Sequence, residues 1–281
     1  MNKPFYQINE AEAKLHISLK GNSKIGEGIA SFSTLPGNAD HMIYTKDKGL
    51  LTDIPGTCSR FCEECAKDGA CYAWRDSKLR NRTVIPAWGE NTLLLRSGRL
   101  WDELDTYLTL KNAKAIKALR AGEPLQKARK LANVKILRQH VSGEIESVDD
   151  LRHWVEIARK HVETVIYVYT KNFDALGEYL DGGEDFPENY VVNVSQWHGV
   201  ANEFLAKYGW AKLNVFTYDD SMKKGSDLPQ AEKDRLAALR HCPAVLPNGH
   251  HAKLPDGSDI TCTLCGRCTR KTGQETAVYA H

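Results

Sequence analysis

Val134-Lys135-Ile136-Leu137, followed at once by Arg138-Gln139-His140-Val141-Ser142-Gly143-Glu144, is the stretch on which the fold turns. A short apolar-rich run that gives way to a polar cluster reads as a buried strand ending in a loop with chemistry in it. Ser147-Val148-Asp149-Asp150 then offers a helix N-cap with acids in the first turn, where the helix dipole favours them. Leu151, Trp154, Val155, Ala158 and Val162 mark one face of the helix that follows. The unit repeats. Val165 to Tyr169 is a β-branched and aromatic strand ending in Thr170-Lys171-Asn172, with a helix around Ala175 to Leu180. Tyr190 to Val194 ends in Ser195-Gln196-Trp197-His198, with a helix from Val200 to Tyr208. Leu213 to Phe216 ends in Thr217-Tyr218-Asp219-Asp220. Mostly apolar strands alternating with helices predict an α/β fold with a parallel sheet covered by helices. In parallel barrels the C-terminal strand ends form the active face. Arg138/His140/Glu144, Thr170/Lys171/Asn172, Ser195/Gln196/His198 and Tyr218/Asp219 are therefore expected to ring one cavity.

Upstream, Leu104, Leu108, Ala115 and Leu119 recur at helical spacing from Leu100 to Ala132, and Gly122-Glu123-Pro124 divides the run into two helices. Its second half is basic: Lys111, Lys114, Lys117, Arg120, Lys127, Arg129, Lys130, Lys135 and Arg138 stand against the single acid Glu123. That pattern suits a solvated helix face or a phosphate-contacting patch. The first fifty residues are polar and turn-rich, with short strand candidates at Ile29-Ala30-Ser31-Phe32-Ser33 and Met42-Ile43-Tyr44-Thr45. Pro55-Gly56 turns the chain into a cysteine-rich loop, after which Tyr72 to Arg82 suits a helix.

A chain of 281 residues, 42% hydrophobic and 26% charged, can bury a sizeable core. Its net charge of +2 gives the molecule as a whole no strong attraction to nucleic acid or membrane. The N-terminus carries no apolar run of signal-peptide length, and no stretch is long and apolar enough to span a bilayer. A cytoplasmic protein with no membrane partner is expected, and in that compartment eight cysteines read as metal ligands before disulfides. They fall in two groups of four. Cys58, Cys62, Cys65 and Cys71 lie within one loop-length, and Cys242, Cys262, Cys265 and Cys268 lie near the C-terminus. Thiolates suit zinc or iron. In the second group a remote Cys-Pro with C-x2-C-x2-C favours a [4Fe–4S] cluster, with zinc as the alternative. His250 and His251 in the intervening loop are minor candidates as extra ligands.

These residues carry a resemblance. The C-x3-C-x2-C of Cys58, Cys62 and Cys65 is similar to the spacing with which radical S-adenosylmethionine (SAM) enzymes hold three irons of a [4Fe–4S] cluster, leaving the fourth iron open to SAM. Ser142-Gly143-Glu144 looks like that superfamily's glycine-rich motif, which contacts the methionyl amine of SAM. The finer resemblance is to the radical-SAM-like phage proteins of the gene product 88 family. It is carried by Gly21-Asn22-Ser23-Lys24-Ile25-Gly26 with Phe32-Ser33, Cys71-Tyr72-Ala73, Arg138 through Glu144, Tyr169-Thr170-Lys171, Asp219-Asp220 and the terminal C-x2-C-x2-C. The resemblance implies a partial (β/α)6 TIM-like barrel over residues 51–235, an N-terminal segment 1–50 packed on it, and a cysteine-rich metal-binding extension over 236–281.

It also implies site roles. The first cluster's ligands are Cys58, Cys62 and Cys65 when aligned on C-x3-C-x2-C, or Cys58, Cys65 and Cys71 when aligned on Cys71-Tyr72-Ala73. Glu64 stands where the superfamily usually places an aromatic residue, and Ser142 where many members have glycine. Glu144, with Ser142 and Gly143, would hold the methionyl amine. Arg138 and Lys171 would meet the SAM carboxylate or a substrate phosphate, and Ser195 and Tyr218 would hydrogen-bond ribose or substrate. The implied activity is reductive cleavage of SAM to a 5′-deoxyadenosyl radical, with a ferredoxin- or flavodoxin-type electron donor and a nucleotide or nucleic-acid substrate. Two other readings stay open: a nucleic-acid-binding protein with two structural metal sites, and an iron–sulfur redox sensor.

Overall fold

Alternation along the strands sets the architecture. In this computed structural model, which describes residues 5–19, 27–40, 51–62, 71–197, 199–222, 226–244, 246 and 251–279, seven strands form one sheet in the order of the chain. They are β1 (Ile17–Ser18), β2 (Ile29–Phe32), β3 (Ile136–Gln139), β4 (Val165–Thr170), β5 (Tyr190–Gln196), β6 (Asn214–Asp219) and β7 (Glu275–Tyr279). Only β1 with β2 is antiparallel, and β2 through β7 run parallel. Among the described residues β1 and β7 do not pair, so the barrel is not closed. The Met42 to Thr45 strand candidate and the Gly21 to Gly26 motif lie outside the described residues.

Ten α-helices are described: α1 (Tyr72–Leu79), α2 (Asn81–Arg96), α3 (Leu100–Lys111), α4 (Ala113–Arg120), α5 (Leu125–Leu131), α6 (Val148–Lys160), α7 (Phe173–Asp181), α8 (Asn202–Tyr208), α9 (Gln230–Ala238) and α10 (Cys262–Cys265). Residues two apart on a strand share a face. Phe32, Leu137, Ile166, Val168, Tyr190, Val192 and Val194 face the helices, packing with Leu104 and Leu108 of α3, Leu151 and Trp154 of α6, Leu176 of α7 and Phe204 of α8. Each such fully buried side chain contributes roughly 1.5–3 kcal/mol. On the opposite face Ile29, Tyr167 and Val191 meet Cys262 and Cys268. One face of the sheet is thus glued to helices, and the other is covered from the C-terminal segment.

Several sequence expectations are corrected here. The run from Leu100 to Ala132 forms three helices, not two. The extra break falls at Asn112, whose buried side chain leaves the helix pattern to donate to Val134 O, Glu163 and Thr164 and to accept from Val134 N. The helix expected from Tyr72 to Arg82 stops at Leu79, and α2 starts at Asn81 and runs on through Pro86. Val162 lies beyond the end of α6 and is exposed. Thr217, Tyr218 and Asp219 belong to β6 itself, and Ser195 and Gln196 to β5. The N-terminal segment supplies β1 and β2, and the cysteine-rich extension supplies β7. Among the described residues, no helix is long and apolar enough to cross a membrane.

Candidate functional site

A cavity of about 1280 Å³ opens at the C-terminal ends of the strands. Cys58, Cys62 and Cys71 of the first cysteine group line it, as do Cys242, Cys262 and Cys268 of the second. Cys265 is not among the lining residues, and Cys65 lies outside the described residues. The first loop is pinned on both sides. Cys58 N donates to Gly37 O (2.8 Å), and Gly37 N donates to Cys58 Sγ (3.2 Å). Gly56 permits this approach, since a Cβ there would sit 2.2 Å from Pro36 O. Arg60 makes a two-pronged ion pair with Asp174 at the start of α7, and Phe61 packs on Phe173. Ser59 Oγ donates to Lys171 O (3.3 Å). The Cys58 and Cys62 thiols hydrogen-bond each other, which drives Cys62 down to about 6 and Cys58 well up, and Lys171 favours the Cys62 thiolate further.

Glu144 forms the floor beside them. It is buried, and its oxygens accept from Lys171 N (2.7 Å) and Ile145 N (3.1 Å). Burial, followed by the charge of Cys62, pushes its carboxyl up to about 8. Its own N donates to Thr57 Oγ1, which hydrogen-bonds Thr34 Oγ1. Gly143, at φ +76°, sits against these threonines: a Cβ would meet Thr34 Oγ1 at 1.9 Å and Thr57 Oγ1 at 2.6 Å. Ser142 Oγ is buried and has no hydrogen-bond partner among the described residues.

The far wall is aromatic and cationic. Trp197 and Tyr218 stack at 3.7 Å between centroids, with Lys171 Nζ 5.5 Å from the Trp197 ring centroid. Arg138 lies over Tyr169 at 5.0 Å, and Tyr169 hydrogen-bonds Cys268. The two cations divide the thiols between them. Lys171 favours the thiolates of Cys62 and Cys71, and Arg138 those of Cys262 and Cys268. In the second group burial dominates, pushing Cys242 up to about 12 and Cys268 up to about 11, each raised further by neighbouring thiolates.

Strand parity decides which expected residues reach the cavity. Arg138, Ser195 and Tyr218 point inward and line it, as do Ser142, Gly143, Glu144 and Lys171 from the loops. Thr170, Gln196 and Asp219 fall on the opposite parity and do not line it. Neither does Asn172, which follows β4. Asn172 caps α7 and donates to Ile145 O. Gln196 binds Ala201 N and Asn202. Asp219 pairs with His241 at 2.7 Å. These four hold the frame, which corrects the expectation that whole clusters would ring the cavity. His140 is a different case. It is among the residues that line the cavity, but at φ +50° its ring packs on Phe32 and Trp154, where burial pushes it down to about 3. His198 and Glu64 lie outside the described residues, as does His250, and His251 bonds Ile260 O. Tyr169 and Asn193 went unassigned from sequence. Asn193 donates to Val168 O and Cys268 O, tying β5 to the cysteine segment. Tyr169 shares parity with Arg138 across the strands, and that was the signal for it.

Among the described residues, no three His, Cys, Asp or Glu side chains are drawn together in a geometry that holds a metal ion. By donor chemistry alone both groups suit a soft metal: their thiols line one cavity, a cation favours the thiolates of each, and Ser142 Oγ is a buried polar atom without a partner beside the first. No curated protein and no solved structure matches the chain. A family model, Gene product 88, matches residues 17–271, and no radical SAM family model matches. The placement in the radical SAM superfamily is corrected accordingly: what the sequence shares with that superfamily is a short cysteine spacing and a glycine motif, too little to carry membership. With a match over nearly its whole length, the chain belongs to the Gene product 88 family.

Proposed function

We propose that this protein is an iron–sulfur enzyme that holds a [4Fe–4S] cluster on the first cysteine group and SAM beside it, with a second cluster, or zinc, on the C-terminal cysteines. The proposal rests on the cavity and not on superfamily membership. The observation that carries it is that both cysteine groups, far apart in the chain, line one cavity, each with its own cation. The strictly sequential strand order, with the large core on one face, supports reading the open sheet as a partial (β/α)6 barrel whose C-terminal ends hold the chemistry.

When bound, the cluster and SAM would supply one-electron cleavage of SAM to a 5′-deoxyadenosyl radical, drawing on a ferredoxin- or flavodoxin-type donor. The chain's own residues position and exclude. Cys58, Cys62 and Cys71, with Cys65, offer the iron ligands. Glu144, fixed by two backbone donors, presents its carboxyl toward an amine, and Ser142 Oγ adds a hydrogen bond. Lys171 favours negative charge at this end of the cavity, and Arg138 does so at the other. The Trp197–Tyr218 stack with Lys171 beside it suits a planar ring carrying negative charge, the nucleotide class of substrate.

Anaerobic reconstitution with iron and sulfide tests this. The expected result is a brown protein whose reduced-cluster EPR signal shifts on adding SAM and which releases 5′-deoxyadenosine under reduction. Substituting Cys58→Ala should abolish that signal from the first group while leaving iron on the second. Colourless protein holding only zinc overturns the proposal, and iron-replete protein without a SAM response assigns a redox-sensing role in its place.

A further inference from the structure

Charge in this chain is not spread evenly. Between Lys111 and Lys135 there are eight cations and the single acid Glu123, a net of +7 in a chain whose total is +2, which leaves the remaining residues at −5. These residues form the α4–α5 hairpin and its flanks. The two helices meet through a seam of small residues, Ala115, Ala128 and Ala132, with Ala118 and Leu119 beside them, a core separate from the main one. On α4 the positions away from the seam are Lys114, Lys117 and Arg120, and on α5 they are Lys127 and Lys130, all exposed. Of these five, Lys127 alone pairs with an acid among the described residues, reaching Glu123 at 2.6 Å.

The hairpin sits at the opposite end of the sheet from the cavity. Arg129 donates to Val162 O, and Asn112 ties the end of α3 to Val134 and Thr164, all just before β3 and β4 begin. None of its residues lines the cavity. Its charge therefore does not serve the thiol chemistry, and held at this density it costs self-repulsion that a solvated face does not require.

We infer that the α4–α5 hairpin is a docking surface for the phosphate backbone of a nucleic acid, separate from the cavity. Cations three residues apart on one helix face lie about 5–6 Å from one another, close to the spacing of successive phosphates along a strand. A membrane surface would ask for a bulky apolar face with Trp, Phe or Leu opposite the cations. Here the face opposite the cations is the alanine seam, and it is already buried within the hairpin. The inference is independent of the cavity's chemistry and holds whether or not a cluster binds there.

The test uses the full chain and a fluorescein-labelled DNA of about 20 nucleotides, single-stranded and duplex, titrated by anisotropy across a potassium chloride series. A variant carries Lys114→Gln, Lys117→Gln, Arg120→Gln, Lys127→Gln and Lys130→Gln. A control of equal net charge neutralises Lys14, Arg152, Lys207, Lys212 and Lys253 instead, and circular dichroism confirms that both fold. The wild type is expected to bind with log K falling linearly in log salt. The hairpin variant should bind at least tenfold more weakly at about 0.1 M salt, its slope shallower by about one for each phosphate it no longer neutralises, while the control keeps the wild-type slope. Absence of wild-type binding, equal losses in variant and control, or binding to phosphatidylglycerol vesicles but not to DNA would each overturn the inference.

Discussion

His140 should make the fold acid-sensitive in a way that can be measured on its own. Its ring is 3% exposed and packed edge-on against Phe32 and Trp154, with neither nitrogen hydrogen-bonded among the described residues. Burial alone holds it neutral, down to about 3 from an ordinary 6.5. Between those values the unfolded chain binds a proton that the folded chain refuses. The stability term is therefore complete above pH 6.5 and is lost as pH falls toward 3. At pH 5 the loss is about 2 kcal/mol, set by the unfolded value alone as long as the folded one stays below 5, and it saturates near about 5 kcal/mol below pH 3. His161 has the opposite sign. Despite its burial, hydrogen bonds to Glu163 and Asp105 raise it, so its contribution is full below 6.5 and is lost as pH rises through its folded value. A wild-type profile mixes the two, and a difference between variants separates them. The perturbation is His140→Asn, since asparagine tolerates the left-handed backbone at φ +50° and does not titrate. Urea unfolding of reduced, metal-free protein at pH 7 and pH 5 gives the free energies. Whatever the substitution costs in packing, the wild type should lose about 2 kcal/mol more than the variant between the two pH values. Parallel losses would show that His140 protonates inside the fold and would refute the reasoning.

Gly143→Ala should cost about 3 kcal/mol or more in urea unfolding, because its Cβ lands 1.9 Å from Thr34 Oγ1 on a left-handed backbone. A loss under about 0.5 kcal/mol would mean that the cradle yields easily. Asn112→Ala should cost about 2–4 kcal/mol, since it strands a donor–acceptor set that joins Val134, Glu163 and Thr164 in the interior. A shift confined to surface-mutation size would assign that network to water. His161→Phe should destabilise more at pH 6 than at pH 8.5, because the protonated ring between Asp105 and Glu163 is what stabilises. Equal losses at the two pH values would show that the ring is held neutral. Arg60→Ala should leave stability within about 0.5 kcal/mol, as its pair with Asp174 is exposed.

The parallel sheet and its helix-bound face were legible because apolar runs and polar ends alternate in phase over residues 134–219. Parity went further than the clusters did. Counting by two from Ile136 or Val165 separates Arg138 and Tyr169, which reach the cavity, from Gln139 and Thr170, which do not. The break at Asn112 was hidden because asparagine is tolerated within a helical pattern and the groups that draw it out come from Val134 and Thr164, about twenty and fifty residues on. His140 was hidden for a related reason. A single residue at positive φ reverses parity, and no local composition announces it. β7 shows no alternation at Glu275–Tyr279, where two polar residues precede Ala277 and Val278, and the cysteines just before it gave that segment a different reading.

The meeting of the two cysteine groups was not legible at all, and the reason lies in the sheet's order. The first group follows β2 and the second precedes β7, five strand positions apart, which at about 4.8 Å per strand separates them by more than 20 Å across a flat sheet. The chain closes that gap by sending its C-terminal segment back across the face of the sheet that the helices leave uncovered. Cys268 O accepts from Asn193 of β5, Cys262 and Cys268 pack on Tyr167 of β4, and Thr263 donates to Glu27 O at the entrance to β2. The last of these joins residues 236 apart, a separation no periodicity can register. The same return path takes the place of a closing strand pair. It crosses the inner face from β5 toward β2, so the open sheet gains a cavity wall from thiol-bearing loop where a closed barrel would gain it from backbone ladder. Tyr169, bonded to Cys268, and Arg138, which lies over Tyr169, belong to the same cavity wall as that returning segment.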